Sequence, residues 1–273
     1  MLRRSLLSLG TLAMFASLAG AQGQIVNVMA SNYKFELPDS VPAGLTTFQF
    51  RTTGTELHHM QIVRLETGKT LADFQAAMQS DGPPPAWVVF VGGPNASIPD
   101  GQAATTLTLT LKPGQHVLLC LIPGPDGKPH IASGMVRPLT VTRAKANVAQ
   151  AGAPTADYVL TLYDYNFDLD KPLKAGKRTI QIKNTAKQFH EAFLVKLPPG
   201  VPATALMEWI NAGMKGQAPA IPMGGIVGLN AGELNTITVD LEPGEYGLYC
   251  FLPAPDGKEH VAHGMFKQIT VTK

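Results

Sequence analysis

The stretch Cys250-Phe251-Leu252-Pro253-Ala254-Pro255-Asp256-Gly257-Lys258-Glu259-His260-Val261-Ala262-His263-Gly264-Met265 has a near twin at Cys120-Leu121-Ile122-Pro123-Gly124-Pro125-Asp126-Gly127-Lys128-Pro129-His130-Ile131-Ala132-Ser133-Gly134-Met135. Both read C-x9-H-x4-M, with Pro, Pro-Asp-Gly-Lys and Gly-Met at the same places, and together they hold both cysteines of the chain. A thiolate, an imidazole and a thioether on one short loop are soft donors of the kind that bind copper. The question is whether the rest of the chain supplies the donor still missing.

The loop recurs because the chain repeats. Residues around 24–143 align with residues around 157–273, a period too long for a solenoid and right for two tandem domains. Asn32-Tyr33-Lys34-Phe35 matches Tyr165-Asn166-Phe167, His58 matches His190, and Gly92-Gly93 matches Gly224-Gly225. Lys112-Pro113-Gly114-Gln115-His116 matches Glu242-Pro243-Gly244-Glu245-Tyr246. Between the halves, residues 144–157 are rich in alanine, lack an apolar period and read as an exposed linker. The predicted domains are therefore 22–143 and 158–273.

Within each half the pattern is β. Thr106 to Leu111 and Asn235 to Val239 alternate in period two, and Pro-Gly and Asp-Gly turns punctuate short strands, as in a β-sandwich. One helix per half interrupts them. Thr70 with Asp73 forms a capping box ahead of Leu71, Phe74 and Met78, and Leu206, Trp209, Ile210 and Met214 form the matching stripe. Both stripes are expected to be buried helix faces.

The repeat also supplies the missing donor, His58 in one half and His190 in the other, each shortly before a strand. Of the seven histidines, His58, His130, His190 and His260 pair across the halves, whereas His59, His116 and His263 have no counterpart and are expected not to be primary ligands. One thiolate and two neutral imidazoles, capped by a weak thioether, form the set of a blue-copper electron-transfer centre. The prolines and the Asp-Gly turn are expected to fix the loop, and Gly134 and Gly264 to let the backbone pass close to the metal or a neighbouring strand.

With Pro243-Gly244-Glu245-Tyr246-Gly247-Leu248-Tyr249-Cys250 followed by His and Gly-Met, each half resembles the cupredoxins. The resemblance covers essentially the whole chain after its first residues. It implies an all-β chain of two tandem cupredoxin-like Greek-key β-sandwiches, each with one short helix inserted. It also implies one type 1 copper per domain, held by His58, Cys120, His130 and Met135 and by His190, Cys250, His260 and Met265, and one-electron transfer to redox partner proteins without substrate turnover. Two features depart from the family. The segment between Cys and His is longer than in small cupredoxins and closer to that of copper nitrite reductases. His59 or Glu191 follows the early histidine where small cupredoxins often carry Asn, so the hydrogen bond that ties the two ligand loops lacks its usual residue.

Other readings remain open at this point. The cysteines would also suit a disulfide or inert buried thiols, and zinc competes for N and S donors, although a thioether is a poor zinc ligand. A copper carrier or storage protein, or a metal-free binding module, needs the same fold. A two-domain multicopper enzyme would wire a second centre through a His beside the Cys; here Leu119, Leu121, Tyr249 and Phe251 flank the cysteines, so the chain is expected not to be an enzyme.

The first residues suggest a compartment. Arg3-Arg4, the apolar run Leu6 to Leu18 and Ala19-Gly20-Ala21 describe a signal peptide over residues 1–21, hence secretion or a periplasmic location. No stretch has the length of a membrane span. A formal net charge of +2 without a basic run disfavours nucleic acid as a partner.

Overall fold

The computed structural model describes residues 23–79, 84–144 and 152–273; the expected signal peptide and half of the expected linker lie outside the described residues. The first half carries β1 (Gln24–Ser31), β2 (Lys34–Glu36), β3 (Ser40–Pro42), β4 (Gly44–Thr52), β5 (Gln61–Leu65), α1 (Leu71–Ala77), β6 (Val88–Gly92), β7 (Thr105–Leu111), β8 (Gly114–Leu119) and β9 (Val136–Thr142). The second carries β10 (Tyr158–Tyr163), β11 (Asn166–Leu169), β12 (Gly176–Asn184), β13 (His190–Leu197), α2 (Thr204–Asn211), β14 (Ile221–Leu229), β15 (Leu234–Leu241), β16 (Gly244–Tyr249) and β17 (Phe266–Val271).

These strands form two facing sheets, in the orders β11-β10-β12-β15-β7-β4-β1-β2 and β17-β16-β13-β14-β6-β5-β8-β9-β3. Both sheets run through both halves. Thr236–Thr238 of β15 pairs with Thr106–Thr108 of β7, and Leu229 of β14 pairs with Val91 of β6. The repeat alone does not foresee this continuity, which hides strand edges that two separate sandwiches would expose.

Period-two patterning places the core. In β4 Phe48 and Phe50 point inward, and in β7 Leu107, Leu109 and Leu111 do so; they meet Leu118, Leu160, Phe167, Ile182 and Leu248 in one apolar cluster between the sheets. Each helix covers the outer face of the site-bearing sheet. Phe74 of α1 packs on Val63, Val117 and Leu119, and Leu206 of α2 on Val195, Leu197 and Tyr249. The Thr70–Asp73 capping box forms as the sequence indicates. Met214 departs from the expected stripe: it lies beyond the end of α2, half-exposed, with a positive φ of 56°.

Candidate metal centres

Strand pairing brings the sequence-distant donors to one end of each half. β8 lies between β5 and β9, with Gln61 opposite Leu119 and Leu119 opposite Val136. The residues just before β5, just after β8 and just before β9 therefore converge, and these are His58, Cys120 and Met135. In the second half β16 lies between β13 and β17, which gathers His190, Cys250 and Met265 in the same way.

The long loop between Cys and His folds into a small hairpin. Pro123 bridges Pro129, Gly124 N–H donates to Lys128 C=O at 2.8 Å, and the Asp126 carboxylate accepts from Lys128 N–H at 3.0 Å. At its base Ile131 N–H donates to Cys120 C=O, Cys120 N–H to Met135 C=O and Met135 N–H to His130 C=O. The extra residues are thus set aside without spreading the donors. The second loop repeats these bonds through Val261, Cys250, Met265 and His260. Gly134 and Gly264 have φ of 92° and 91° at the ends of single-turn helices, with open space where a Cβ would stand. Their role is left-handed backbone, not the close approach expected from sequence. Close approach belongs instead to Gly93 and Gly225, where a Cβ would lie 2.0 Å from Met60 O and Ala192 O.

The structure gathers His58, Cys120 and His130, and likewise His190, Cys250 and His260, with donor atoms within 4.8 Å of one another and every residue buried. Met135 and Met265 are fully buried alongside. Both cysteines are free, which removes the disulfide alternative. His116 is buried where Tyr246 stands in the other half, and His263 stacks on Tyr165 and pairs with Asp256. Neither is among the clustered donors.

Hydrogen-bond partners assign the tautomers in the second cluster. The Asp164 carboxylate only accepts, so His190 Nε2–H donates to it at 2.6 Å, and His260 Nε2–H donates to Gln188 Oε1 at 3.2 Å. Each Nδ1 then carries a lone pair, and the two face each other at 3.0 Å. Cys250 Sγ lies 3.2 Å from His260 Nδ1 and 3.9 Å from His190 Nδ1. Facing lone pairs repel, and one thiol proton serves only one of them; a soft cation satisfies all three atoms. In the first cluster His130 Nε2–H donates to Glu56, itself held by the Tyr33 hydroxyl, and His130 Nδ1 faces His58 Nδ1 at 3.0 Å.

Burial sets the protonation. Desolvation, then the neighbouring imidazole, lowers His58 and His260 to about 4, and desolvation also lowers His190. Burial raises the Cys120 thiol to about 11 and pushes Cys250 well above its ordinary value. His58, His190 and His260 are therefore held as neutral donors, and metal entry would release the thiol proton. Backbone N–H groups of His59 and Glu191 point at the two sulfurs at 3.5 and 3.3 Å, which favours thiolate.

His59 and Glu191 also supply the tie between ligand loops. Leu121 N–H donates to His59 Nε2 at 2.8 Å, and Phe251 N–H to Glu191 Oε1 at 2.7 Å. Sequence comparison set His59 aside for lacking a match, and the signal that would have found it was its place directly after the ligand histidine. Glu56 and Gln188, both two residues before that histidine, offered a similar positional signal.

No protein-family model matches the chain, and no curated protein does. Among solved structures, auracyanin from Roseiflexus castenholzii is 28% identical and covers 44% of this chain and 100% of its own, with a TM-score of 0.29. Copper nitrite reductase from Nitrosomonas europaea is 16% identical over 92% of this chain and 95% of its own, with a TM-score of 0.26. A blue copper oxidase from the same organism is 13% identical over 92% and 85%, with a TM-score of 0.24. The expectation that the chain is not an enzyme is corrected here. It rested on one wiring pattern, a His beside the Cys, whereas the likenesses that span nearly the whole chain are to an oxidase and a reductase. The chain has a cupredoxin-like β-sandwich fold, and each half encloses a His-Cys-His cluster whose donor chemistry fits copper.

Proposed function

We propose that this is an exported copper redox protein whose two type 1 centres pass single electrons. In this reading residues 1–21 direct export, and domains 22–143 and 158–273 are joined by a linker at 144–157. His58, Cys120, His130 and Met135 hold one copper, and His190, Cys250, His260 and Met265 the other. When bound, copper supplies a reversible one-electron couple. The chain's residues do the rest: Glu56 and Asp164 orient the imidazoles, the apolar burial excludes water, and backbone N–H groups stabilise the thiolates. The observation that carries the reading is the pair of Nδ1 lone pairs facing each other beside Cys250. Among the described residues no helix is long and apolar enough to cross a membrane. A protein redox partner fits a site whose clustered donors are all buried.

A second use is favoured by the extent of the likeness to an oxidase and a reductase: the same couple would feed a reaction on this chain. Anaerobic titration of the copper-loaded chain with a one-electron reductant tests the first reading. Two reversible one-electron steps are expected; copper that leaves on reduction would contradict it. Consumption of oxygen or nitrite by the reduced chain selects the second use.

A further inference from the structure

We infer that Asn95 and Glu191 form a buried electronic bridge that lets one electron exchange between the two sites within a single chain. The inference rests on the reading of both clusters as one-electron copper sites. The observation is an unbroken run of bonds between the two sulfurs. His59 N–H donates to Cys120 Sγ at 3.5 Å; the next residue, Met60, donates its N–H to Pro94 C=O at 3.0 Å. The next residue along, Asn95, donates Nδ2–H to Glu191 Oε2 at 3.3 Å, and Glu191 N–H donates to Cys250 Sγ at 3.3 Å.

Every member of this path is buried. His59, Met60, Asn95 and Glu191 are at most 9% exposed, so the path is dry and fixed by packing. Asn95 is held from three sides, through Ile226 C=O at 3.1 Å, Gly225 C=O at 3.2 Å and its own Oδ1 to Ala96 N–H. A polar side chain this enclosed at the seam between the halves is costly to keep unless it is fully bonded, and here it is. Covalent bonds and hydrogen bonds connect the thiolates more directly than packed apolar atoms would. The exchange is balanced: the reduced copper loses one electron, the oxidised copper gains it, and no other reactant takes part. Asn95 and Glu191 are bridging residues and touch no ligand nitrogen.

The test uses the mature chain with copper at both sites in a Met265→Gln background, which gives the second site its own absorption band and potential. A pulse of reductant below one electron per chain is followed by the redistribution between the two bands. We expect a first-order redistribution whose rate does not change on dilution. Asn95→Ala is expected to slow it several-fold while both coppers and both bands are retained. Asn95→Asp keeps the volume but turns the donor to Glu191 into an acceptor, and it is expected to slow exchange likewise should alanine not fold. A rate that scales with protein concentration, or one untouched in the folded Asn95 variants, overturns the inference alone. A chain that does not take up two coppers overturns the reading of the sites and this inference with it.

Discussion

The Glu191 carboxyl accepts the Phe251 N–H at 2.7 Å, and so fastens the loop that follows Cys250 to the strand that begins at His190. In the first half an imidazole, His59, does the same for Leu121. Two unlike side chains make one bond because only an acceptor of suitable reach is needed. Glu191→Ala leaves the Phe251 N–H without that partner and is expected to cost about 1–3 kcal/mol. Glu191→Gln, which retains an acceptor, is expected to cost less. Denaturant midpoints of the metal-free chain measure both, and equal losses would contradict the role.

Asp164 fixes His190 through Nε2. Asp164→Ala frees the ring to rotate and to change tautomer, and is expected to weaken copper at that site by about 10–100-fold. Competition with a chelator measures it, with the first site as internal reference. Equal affinity before and after substitution would show that packing alone orients the ring.

Much of this was legible in the sequence, and the losses have a common cause. The C-x9-H-x4-M loops and the pairing of His58 with His190 depend on local chemistry that each half repeats, so comparing the halves finds them, and the Thr70 capping box is legible from its own four residues. Partners that differ between the halves are filtered out by the same comparison. Glu56 stands where Gln188 does, Asn32 where Asp164 does, and His59 where Glu191 does. Each half thus keeps its imidazoles oriented with different residues. The joining of β6 to β14 and β7 to β15 was illegible for another reason: edge pairing depends on how two surfaces dock, and no short pattern encodes it.

Gly225 has a φ of 106°, and a Cβ there would lie 2.0 Å from Ala192 O, two residues after His190. Gly225→Ala is expected to cost about 1–3 kcal/mol from backbone strain alone. The clash adds to this and displaces the start of β13, so copper is expected to be lost from the second site while the first keeps it. An unchanged unfolding midpoint would contradict the argument.

His116 is buried, and desolvation lowers it to about 4 from an ordinary 6.5. The folded-state value lies below the unfolded one, so below pH 6.5 the unfolded chain takes up a proton that the folded chain refuses. Stability is full above that pH and is lost as pH falls towards 4, by about 3 kcal/mol at most. His116→Tyr, the residue the second half uses at Tyr246, is expected to flatten this part of the stability–pH curve of the metal-free chain. A curve identical to that of the wild type would contradict it.

The central claim is that each half binds one copper through its own cysteine. The most direct measurement is copper content together with the visible absorption of the wild type, Cys120→Ser, Cys250→Ser and the double variant. Two coppers and a coloured protein are expected for the wild type, one copper for each single variant and none for the double. A colourless wild type, or copper content that ignores both cysteines, would contradict the account.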